Sequence, residues 1–284
     1  MGENMSKEQE EYIKKIQDDC LERTNMTEEE AYRFAFRCWQ LNYSKTNKNP
    51  KIDKKYELVE SDSKRINGNK TVFRIKALRN FSDVKAGDLG GYVESEDNLS
   101  HEGTCWIYGD AIVYDNARIL DDAKIFNNAR IFNNANVFGH AKVNDTCWVF
   151  GTAQVFGSAN IFNDSLILDD ARVFKEASVN HSIVCKNAKV HGVINLKDAI
   201  IGSNASIIFN KDYSIIQFPG CSAITLFRTE DMKVNVSYSD KSFYSLKEFK
   251  RMICNGMTLR KIYSKVLDII ALEILTYRDR NHLS

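Results

Sequence analysis

The chain has 284 residues, of which 43% are hydrophobic and 27% charged, and its 39 basic and 38 acidic side chains leave a formal net charge of +1. This composition excludes a mostly disordered chain and an overall charge that would attract nucleic acid or a membrane surface. No run of 18 apolar residues occurs, and the N-terminus is charged from Glu3 onward. We therefore expect a cytoplasmic protein without a transmembrane helix or a secretory signal. The odd number of cysteines, seven, with no C-x-x-C pair, favours reduced thiols over disulfides or a zinc site.

Residues 7–46 predict two helices. The second begins at Thr27, where Glu30 completes a capping box ahead of an apolar set formed by Phe34, Ala35, Cys38 and Trp39. Residues 1–30 carry a net charge of −6 and residues 31–85 a net charge of +9. Two interpretations remain open: the acidic helix packs beside the basic segment that follows it, or the two form a bipolar docking surface.

Residues 55–78 predict a short β-hairpin, because two strand-like runs flank the turn signal Asn67-Gly68.

After this hairpin, a six-residue repeat fills the centre of the chain. Every sixth position from Ile107 to Val179 is Ile or Val, and a small residue (Ala, Cys or Ser) lies two positions before each. Six steps would scatter these aliphatic residues around a helix but keep them on one side of a strand. We therefore predict strands.

The repeat favours a parallel β-solenoid over an antiparallel meander. Across a two-residue hairpin turn, Ile125 would lie opposite Arg130 and mix core with charge, whereas coiling in one sense stacks equivalent residues. Three six-residue units give an 18-residue coil, and such coils should stack Ile107 on Ile125. The strict spacing ends at Val179 and resumes out of phase, so we expect bulges or loops in the last coils, which should reach about residue 209. The pattern does not determine the hand of the solenoid.

The C-terminal segment predicts an α+β cap. After Pro219 the sequence suggests two short strands, followed by helices near 243–254 and 258–276. An open solenoid end exposes strand edges, and both flanking segments have a suitable size to cover one end. We divide the chain into a helical extension (1–53), a hairpin segment (54–100), the solenoid (101–210) and the cap (211–284).

Residues 74–111 resemble the opening of YdcK-like hexapeptide-repeat proteins of bacteria and phages, and the A-x-[I/V]-[F/Y]-x-x unit is similar to the repeat of left-handed β-helices. The resemblance covers roughly residues 55 to 275. It implies a mainly β protein, a single-stranded left-handed parallel β-helix, and a phage or prophage accessory role. Family members typically carry a Cys-x-Cys pair where this chain has Ser237, Tyr238 and Ser239, so the resemblance does not carry a thiol or metal role over to this chain.

Aromatic and aliphatic residues follow most of the repeat positions, and strand alternation predicts that they face outward. They form two candidate stripes for partner or oligomer binding, one of Leu120, Phe138, Phe156 and Phe174 and the other of Tyr114, Phe132 and Phe150, continued by Leu168. Three interpretations stay open: the stacked rings bury one another, a second copy covers them, or a different protein does. Trp106 and Trp148, just before a repeat position, should also point outward.

Catalysis is the main alternative, because many left-handed β-helix proteins are acyltransferases that use a histidine base and a long loop beside the acceptor pocket. The unbroken spacing between residues 107 and 179 predicts no such loop. His181 and His191 are the best candidate bases, since loops could form where the repeat slips. No nucleotide, zinc-protease or α/β-hydrolase motif occurs. Asp121-Asp122 and Asp169-Asp170 should lie on different corners, so we expect no metal site.

The sequence therefore favours a non-enzymatic binding or scaffold protein. One hypothesis is that it inhibits a host antiviral defence complex through protein–protein contact. Its expected partners are further copies of itself, as a dimer or trimer, a host protein complex, or both, and neither a membrane nor nucleic acid. The alternative function is an acyltransferase that uses acetyl-CoA, and outside that alternative we expect no cofactor.

Overall fold

The computed structural model describes residues 11, 14–18, 31, 35, 54–66, 69–217, 223–238, 242–254 and 258–281. The chain divides into two compact units, Met1–Asp53 and Lys54–Ser284. In the first unit the described residues are helical, and Ala31 and Ala35 are buried. The other residues of the predicted N-terminal helices, including the capping box, lie outside the described part. No helix among the described residues is long and apolar enough to cross a bilayer.

The second unit is mainly β. Its chain begins with a hairpin of β1 (Tyr56–Ile66) and β2 (Lys70–Ala77) and continues into three sheets of parallel strands that form a solenoid of about six turns. The hairpin belongs to a nine-stranded sheet, called sheet A here, which continues through β3 (Leu89–Val93), β5 (Ile112–Val113), β8 (Arg130–Ile131), β11 (Trp148–Val149), β14 (Leu166–Ile167), β17 (Ile183–Val184) and β20 (Ile200–Ile201).

Sheets B and C have six strands each. Sheet B contains β4 (Trp106–Ile107), β7 (Lys124–Ile125), β10 (Lys142–Val143), β13 (Asn160–Phe162), β16 (Ser178–Asn180) and β19 (Asn195–Lys197). Sheet C contains β6 (Arg118–Ile119), β9 (Asn136–Val137), β12 (Gln154–Val155), β15 (Arg172–Phe174), β18 (Lys189–His191) and β21 (Ser206–Ile207).

The predicted stacking of like residues is confirmed. Ile107 pairs in register with Ile125, and Ile125 with Val143, as the 18-residue coil requires. All the aliphatic residues at six-residue intervals from Ile107 to Val179 are fully buried, as are the small residues two positions before them. The solenoid interior is therefore a continuous apolar core that depends on the hexad register.

The corners explain the Asn, Asp and Gly residues of the repeat. Asp115, Asn133 and Gly151 succeed one another at one corner, and each has a positive φ, which these residue types adopt at low cost. The side chains also bond between coils, since Asp115 Oδ2 accepts a hydrogen bond from the Asn133 backbone N–H at 3.0 Å. The turn residues thus bend the chain and tie neighbouring coils together.

The last coils are one residue shorter than the earlier ones. Val179 pairs with Leu196, and Val184 with Ile201, so the repeat length falls from 18 to 17 residues. The missing residue belongs to one corner, where five positions instead of six separate Val179 from Val184. The expectation of bulges or loops here was wrong, because the change of phase comes from a shortened corner rather than from inserted chain.

The hairpin extends sheet A by antiparallel pairing, β1 with β2 and β2 with β3, before β3 pairs in parallel with β5. The predicted hairpin is thus confirmed, although its turn residues lie outside the described part. Gly91 allows the closest approach at this junction, because a Cβ there would overlap the side chain of Ile107. The backbone of β3 therefore packs directly on the first coil.

The C-terminal part contains a four-stranded antiparallel sheet of β22 (Tyr213–Ile216), β23 (Ile224–Arg228), β24 (Val234–Tyr238) and β25 (Ser242–Ser245), followed by α1 (Leu246–Cys254) and α2 (Thr258–Asn281). Both predicted strands after Pro219 are present. The helix expected from residue 243 begins at Leu246, because residues 242–245 pair with β24. Leu267, Ala271 and Ile274 of α2 bury their side chains in a core shared with Leu226 of β23.

This sheet contacts the last solenoid coil. Phe227 belongs to the same buried cluster as the stacked aliphatic residues, and Ser237 Oγ donates a hydrogen bond to the Ile200 carbonyl at 2.8 Å. Arg228 Nη2 lies 2.6 Å from Asp212 Oδ1, and both side chains are fully buried or nearly so. The final coil is therefore joined to the sheet by a hydrophobic contact, hydrogen bonds and a buried ion pair.

Candidate binding surfaces of the solenoid

The first predicted stripe lies along one corner of the solenoid and forms a stack of parallel rings. Phe138, Phe156 and Phe174 have ring centroids 4.8 Å apart and are inclined by no more than 5°. His191 continues the stack at 4.5 Å from Phe174. Leu120 and the three phenylalanines are all buried within the single chain. The structure therefore favours mutual burial here, and the binding role of this stripe stays a prediction.

The second predicted stripe, at the next corner, is less completely covered. Tyr114, Phe132 and Phe150 stack at 5.0 and 4.8 Å, nearly parallel. Tyr114 is buried, because Val72 and Ile112 belong to its apolar cluster, whereas Phe132 and Phe150 are half-buried. Phe132 also contacts Trp148, a residue of sheet A, in an edge-on arrangement.

The outer surface of sheet A carries a feature that the sequence reasoning missed. The residues just before the inward aliphatic positions of this sheet are Ile112, Arg130, Trp148, Leu166 and Ile183, a set that we call the Trp148 strip. Trp148 is 41% exposed, and Leu166 and Ile183 are half-buried. The equivalent positions of sheets B and C are mostly polar, as at Lys142 and Gln154. Sorting the repeats into every third unit would have separated this apolar set from the polar ones.

Trp106 and Trp148 occupy equivalent positions in different sheets but have different surroundings. Trp106 is 1% exposed because the hairpin segment covers it, and its ring contacts Phe81 at 5.3 Å in an edge-on arrangement. Trp148 lies between the Phe132 ring, with centroids 6.1 Å apart, and the Arg130 guanidinium, 5.8 Å from its ring centroid. Of the two, Trp148 therefore presents an aromatic surface to solvent.

The two histidines proposed as bases are separated by the fold. His181 is exposed at the shortened corner, and its Nδ1 lies 2.8 Å from Asp198 Oδ1. His191 is 3% exposed in the ring stack. A histidine held by a carboxylate can act as a general base, so His181 has the better geometry of the two. The other described histidines are His101, stacked on Tyr56, and His140, 3.5 Å from Asp122, while His282 lies outside the described residues.

The pairs Asp121-Asp122 and Asp169-Asp170 lie at corners of the solenoid, and the first aspartate of each binds a backbone N–H group of the next coil. Asp121 Oδ2 accepts a hydrogen bond from the Gly139 N–H, and Asp169 Oδ2 accepts one from the Lys186 N–H, each at 3.0 Å. These contacts join successive coils at two different corners, as the sequence predicted. Within the described residues, no group of three or more metal-ligating side chains is close enough to hold an ion.

The cysteines in the repeat are core residues. Cys105 and Cys147 are fully buried and unoxidised, and the same holds, within 2% exposure, for Cys185. Burial raises the pKa of the Cys147 thiol to about 12. A thiol that stays protonated at neutral pH is a poor nucleophile, which agrees with the predicted packing role.

One open groove lies at a corner between sheets B and A. It measures about 460 Å³ and is lined by polar turn residues of three successive coils, among them Asn127 and Asp145. Asn127 Nδ2 donates to Asp145 Oδ1 at 3.1 Å, so these side chains are engaged in the corner ladder. The groove does not include His181.

A scan of the chain against protein-family models found no match, and neither did a search of curated proteins.

Proposed function

We propose that this chain is a non-enzymatic binding protein of phage or prophage accessory type, built on a left-handed β-helix, that inhibits a host antiviral defence complex by protein–protein contact. The resemblance of residues 74–111 to YdcK-like proteins supports the family, the hand of the solenoid and the phage origin. An electron-density map would decide the hand.

The observation that carries the binding role is the Trp148 strip. A β-solenoid presents wide, rigid sheet surfaces, and binding to such a surface costs little conformational entropy. Exposed tryptophan beside arginine is typical of the residues that dominate protein interfaces. Here Trp148, Arg130 and Leu166 lie together on one sheet, while the equivalent positions of the other two sheets are mostly polar.

Phage plating tests the proposed inhibition. The chain would be expressed in bacterial strains that each carry one defined antiviral system, and plaque formation by a restricted phage would be counted. We expect expression to raise plating by at least about 100-fold against one system, because an inhibitor present at about 100 times its Kd leaves only about 1% of its target free. Unchanged plating against every system would contradict the defence role.

A deletion tests the contribution of the N-terminal unit. The chain without residues 1–53 should retain the circular dichroism spectrum of the solenoid, because Lys54–Ser284 forms its own compact unit. We expect it to lose capture of the host complex and the gain in plating. Unchanged capture would show that the predicted helices do not bind the partner.

The pair of His181 and Asp198 favours the acyltransferase as a second candidate. If that function is correct, isothermal titration should show saturable binding of acetyl-CoA in the micromolar range, and His181→Ala should abolish acetyl transfer while leaving binding intact. Absence of heat at about 1 mM acetyl-CoA would contradict the enzyme and leave the binding protein.

A further inference from the structure

We propose that the Trp148 strip is the interface between two antiparallel copies of this chain. The two copies are related by a two-fold axis that lies between their facing A sheets, parallel to the strands, at the level of Trp148. This inference rests on the self-association expected for the binding protein, and it specifies the surface and the register. It does not depend on capture of a host complex, so the two can fail separately.

The strip combines apolar area with a single cation. Trp148, Leu166 and Ile183 follow one another on successive coils, and Arg130 lies one coil before Trp148. Parallel pairing spaces these residues evenly, about 4.8 Å from coil to coil. The surface can therefore pack on an identical surface without a change of spacing, which an isologous contact requires.

Antiparallel packing centred on Trp148 matches the three central levels of the strip, at which Arg130, Trp148 and Leu166 are at least partly exposed. The two-fold axis places each Trp148 against its copy, and it exchanges the coil before Trp148 with the coil after it. Arg130 then faces the coil of Leu166. Ile112, two coils before, is only 7% exposed because it packs with side chains of the hairpin segment, so it adds no interface area opposite Ile183. Apolar surface thus meets apolar surface at the centre, where Trp148 packs on Trp148 and Leu166 packs on the aliphatic part of the Arg130 side chain.

Charge complementarity supports this register. Asp164 precedes Leu166 by two residues and is exposed at the rim of sheet A, where its Oδ1 accepts a hydrogen bond from the Thr146 hydroxyl and its other carboxylate oxygen has lone pairs to accept a bond from a second copy. Arg130 of one copy would therefore face a coil with a carboxylate within reach of its long side chain, and the two-fold symmetry gives two such pairs in the dimer. Desolvated arginine–carboxylate pairs of this kind favour one register over others.

Other ways of pairing two copies through the same surface bring like charges together or separate Arg130 from a carboxylate. Side-by-side parallel copies would put Arg130 against Arg130, which is repulsive. Moving the axis halfway toward Leu166 would place Arg130 opposite Ile183, whose coil carries His181 and Lys186 at its corners. The distribution of charge along the strip therefore selects the antiparallel register and a second copy as the occupant.

The first experiment measures mass against concentration for the full chain, by sedimentation equilibrium between about 5 and 200 μM. A contact over the three coils of Arg130, Trp148 and Leu166 is a small interface, so we expect a dimer with a Kd in the micromolar range. Trp148→Glu should weaken the dimer at least about 30-fold, since it places two carboxylates against each other on the axis. Lys142→Glu, at the equivalent position of sheet B, is the matched control and should leave the Kd unchanged.

The second experiment tests the register by exchanging charges. Arg130→Glu should weaken the dimer about tenfold or more, because the introduced carboxylate would face Asp164 of the second copy. Adding Asp164→Lys should restore the Kd to within about threefold of the original chain, since the exchanged pair again attracts. Lysine is compatible with the positive φ of position 164, because Lys175 and Lys186 adopt the same conformation at other corners.

The outcomes separate the alternatives. A chain that stays monomeric at about 200 μM, or a dimer that Trp148→Glu leaves intact while far-UV circular dichroism shows a folded protein, overturns the proposal. Failure of Asp164→Lys to rescue Arg130→Glu overturns the antiparallel register. A monomer that nevertheless captures a host protein through Trp148 would show that the strip serves another partner, and it would leave the proposed function standing.

Discussion

At the first coil of the solenoid, β1 and β2 extend sheet A by backbone pairing, whereas at the last coil a separate sheet is held mainly by side chains. Both ends bury a cation but bind it differently. Lys55 Nζ donates to the carbonyls of Cys105 and Glu102 at 2.9 and 3.3 Å. Arg228 pairs with the carboxylate of Asp212. The exposed strand edge at an end of the solenoid can thus be covered in two ways, by further strands of the same sheet or by a separate sheet held by side chains. At the end covered by the separate sheet, we expect each individual contact to contribute more to the free energy of unfolding.

The largest expected effect breaks the anchored end. Arg228→Met would leave Asp212 buried without its counter-cation, and breaking a buried pair in this way costs about 3–5 kcal/mol of unfolding free energy. Urea unfolding followed by circular dichroism measures this loss. The double variant Arg228→Met/Asp212→Asn lacks the buried, unpaired carboxylate as well, so it should recover part of the lost free energy of unfolding. A loss below about 1 kcal/mol for the single variant would show that the pair does not hold this end.

The extended end should respond less to loss of its cation. Lys55→Met keeps the length of the side chain but removes its hydrogen bonds to backbone carbonyls, at a cost of about 1–3 kcal/mol. The same urea unfolding applies. Lys54→Met is the matched control, because Lys54 makes an exposed ion pair with Glu96, and such pairs contribute about 0–1 kcal/mol. If Lys55→Met costs more than Arg228→Met, the distinction between the two ends is wrong.

The stacked core was predictable from sequence because each six-residue unit of the solenoid shows by its own pattern which of its side chains is buried. Each inward position is decided by its own six residues, so Ile107 and Val143 could be assigned without knowing the coils around them. The shortened corner was visible as a change of phase, but Leu196 was not recognised as an inward residue. Its preceding small position holds Ile194, which breaks the local rule.

The candidate surfaces were less predictable, because they depend on which residues become neighbours across coils. The corner rings were identified, but whether Phe156 faces solvent or the ring above it depends on the stacking distance. The Trp148 strip was missed because only the residues after the inward positions were sorted into every third repeat, whereas this strip is formed by the residues before them. The pair of Asp212 and Arg228 follows no repeat, since the fold alone brings the last turn of the solenoid to β23.

Alkaline pH should distinguish the ends further. Burial raises the pKa of Tyr56 well above its usual range, and its hydroxyl donates to the carbonyls of Glu96 and Leu99. Tyr56 therefore stays protonated in the folded chain while it ionises in the unfolded chain above about pH 10. Its stabilising contribution is complete below that pH and decreases by about 1.4 kcal/mol per pH unit above it.

Tyr56→Phe should accordingly lose stability at pH 7, through its missing hydrogen bonds, but decline less steeply between about pH 10 and 11. Urea unfolding at several pH values measures both effects. Ser206→Ala, which leaves every tyrosine in place, is the control and should follow the slope of the original chain. Equal slopes for Tyr56→Phe and the original chain would show that Tyr56 ionises as readily in the folded protein.

The smallest expected effect concerns a single hydrogen bond at the anchored end. Ser237 Oγ, 1% exposed, donates to the Ile200 carbonyl in the last strand of sheet A, where a further coil would have paired. Ser237→Ala leaves this carbonyl buried beneath β24 without that donor, at an expected cost of about 1 kcal/mol. Ser206→Ala, on the outer side of β21, should change stability by less than about 0.5 kcal/mol.

Hydrogen exchange at Ile200 and its neighbours locates the effect, because loosening of the anchored sheet should raise exchange there and leave the first coil unchanged. Equal acceleration at both ends would mean that the solenoid opens as one unit, so the two kinds of closure would not differ in local stability.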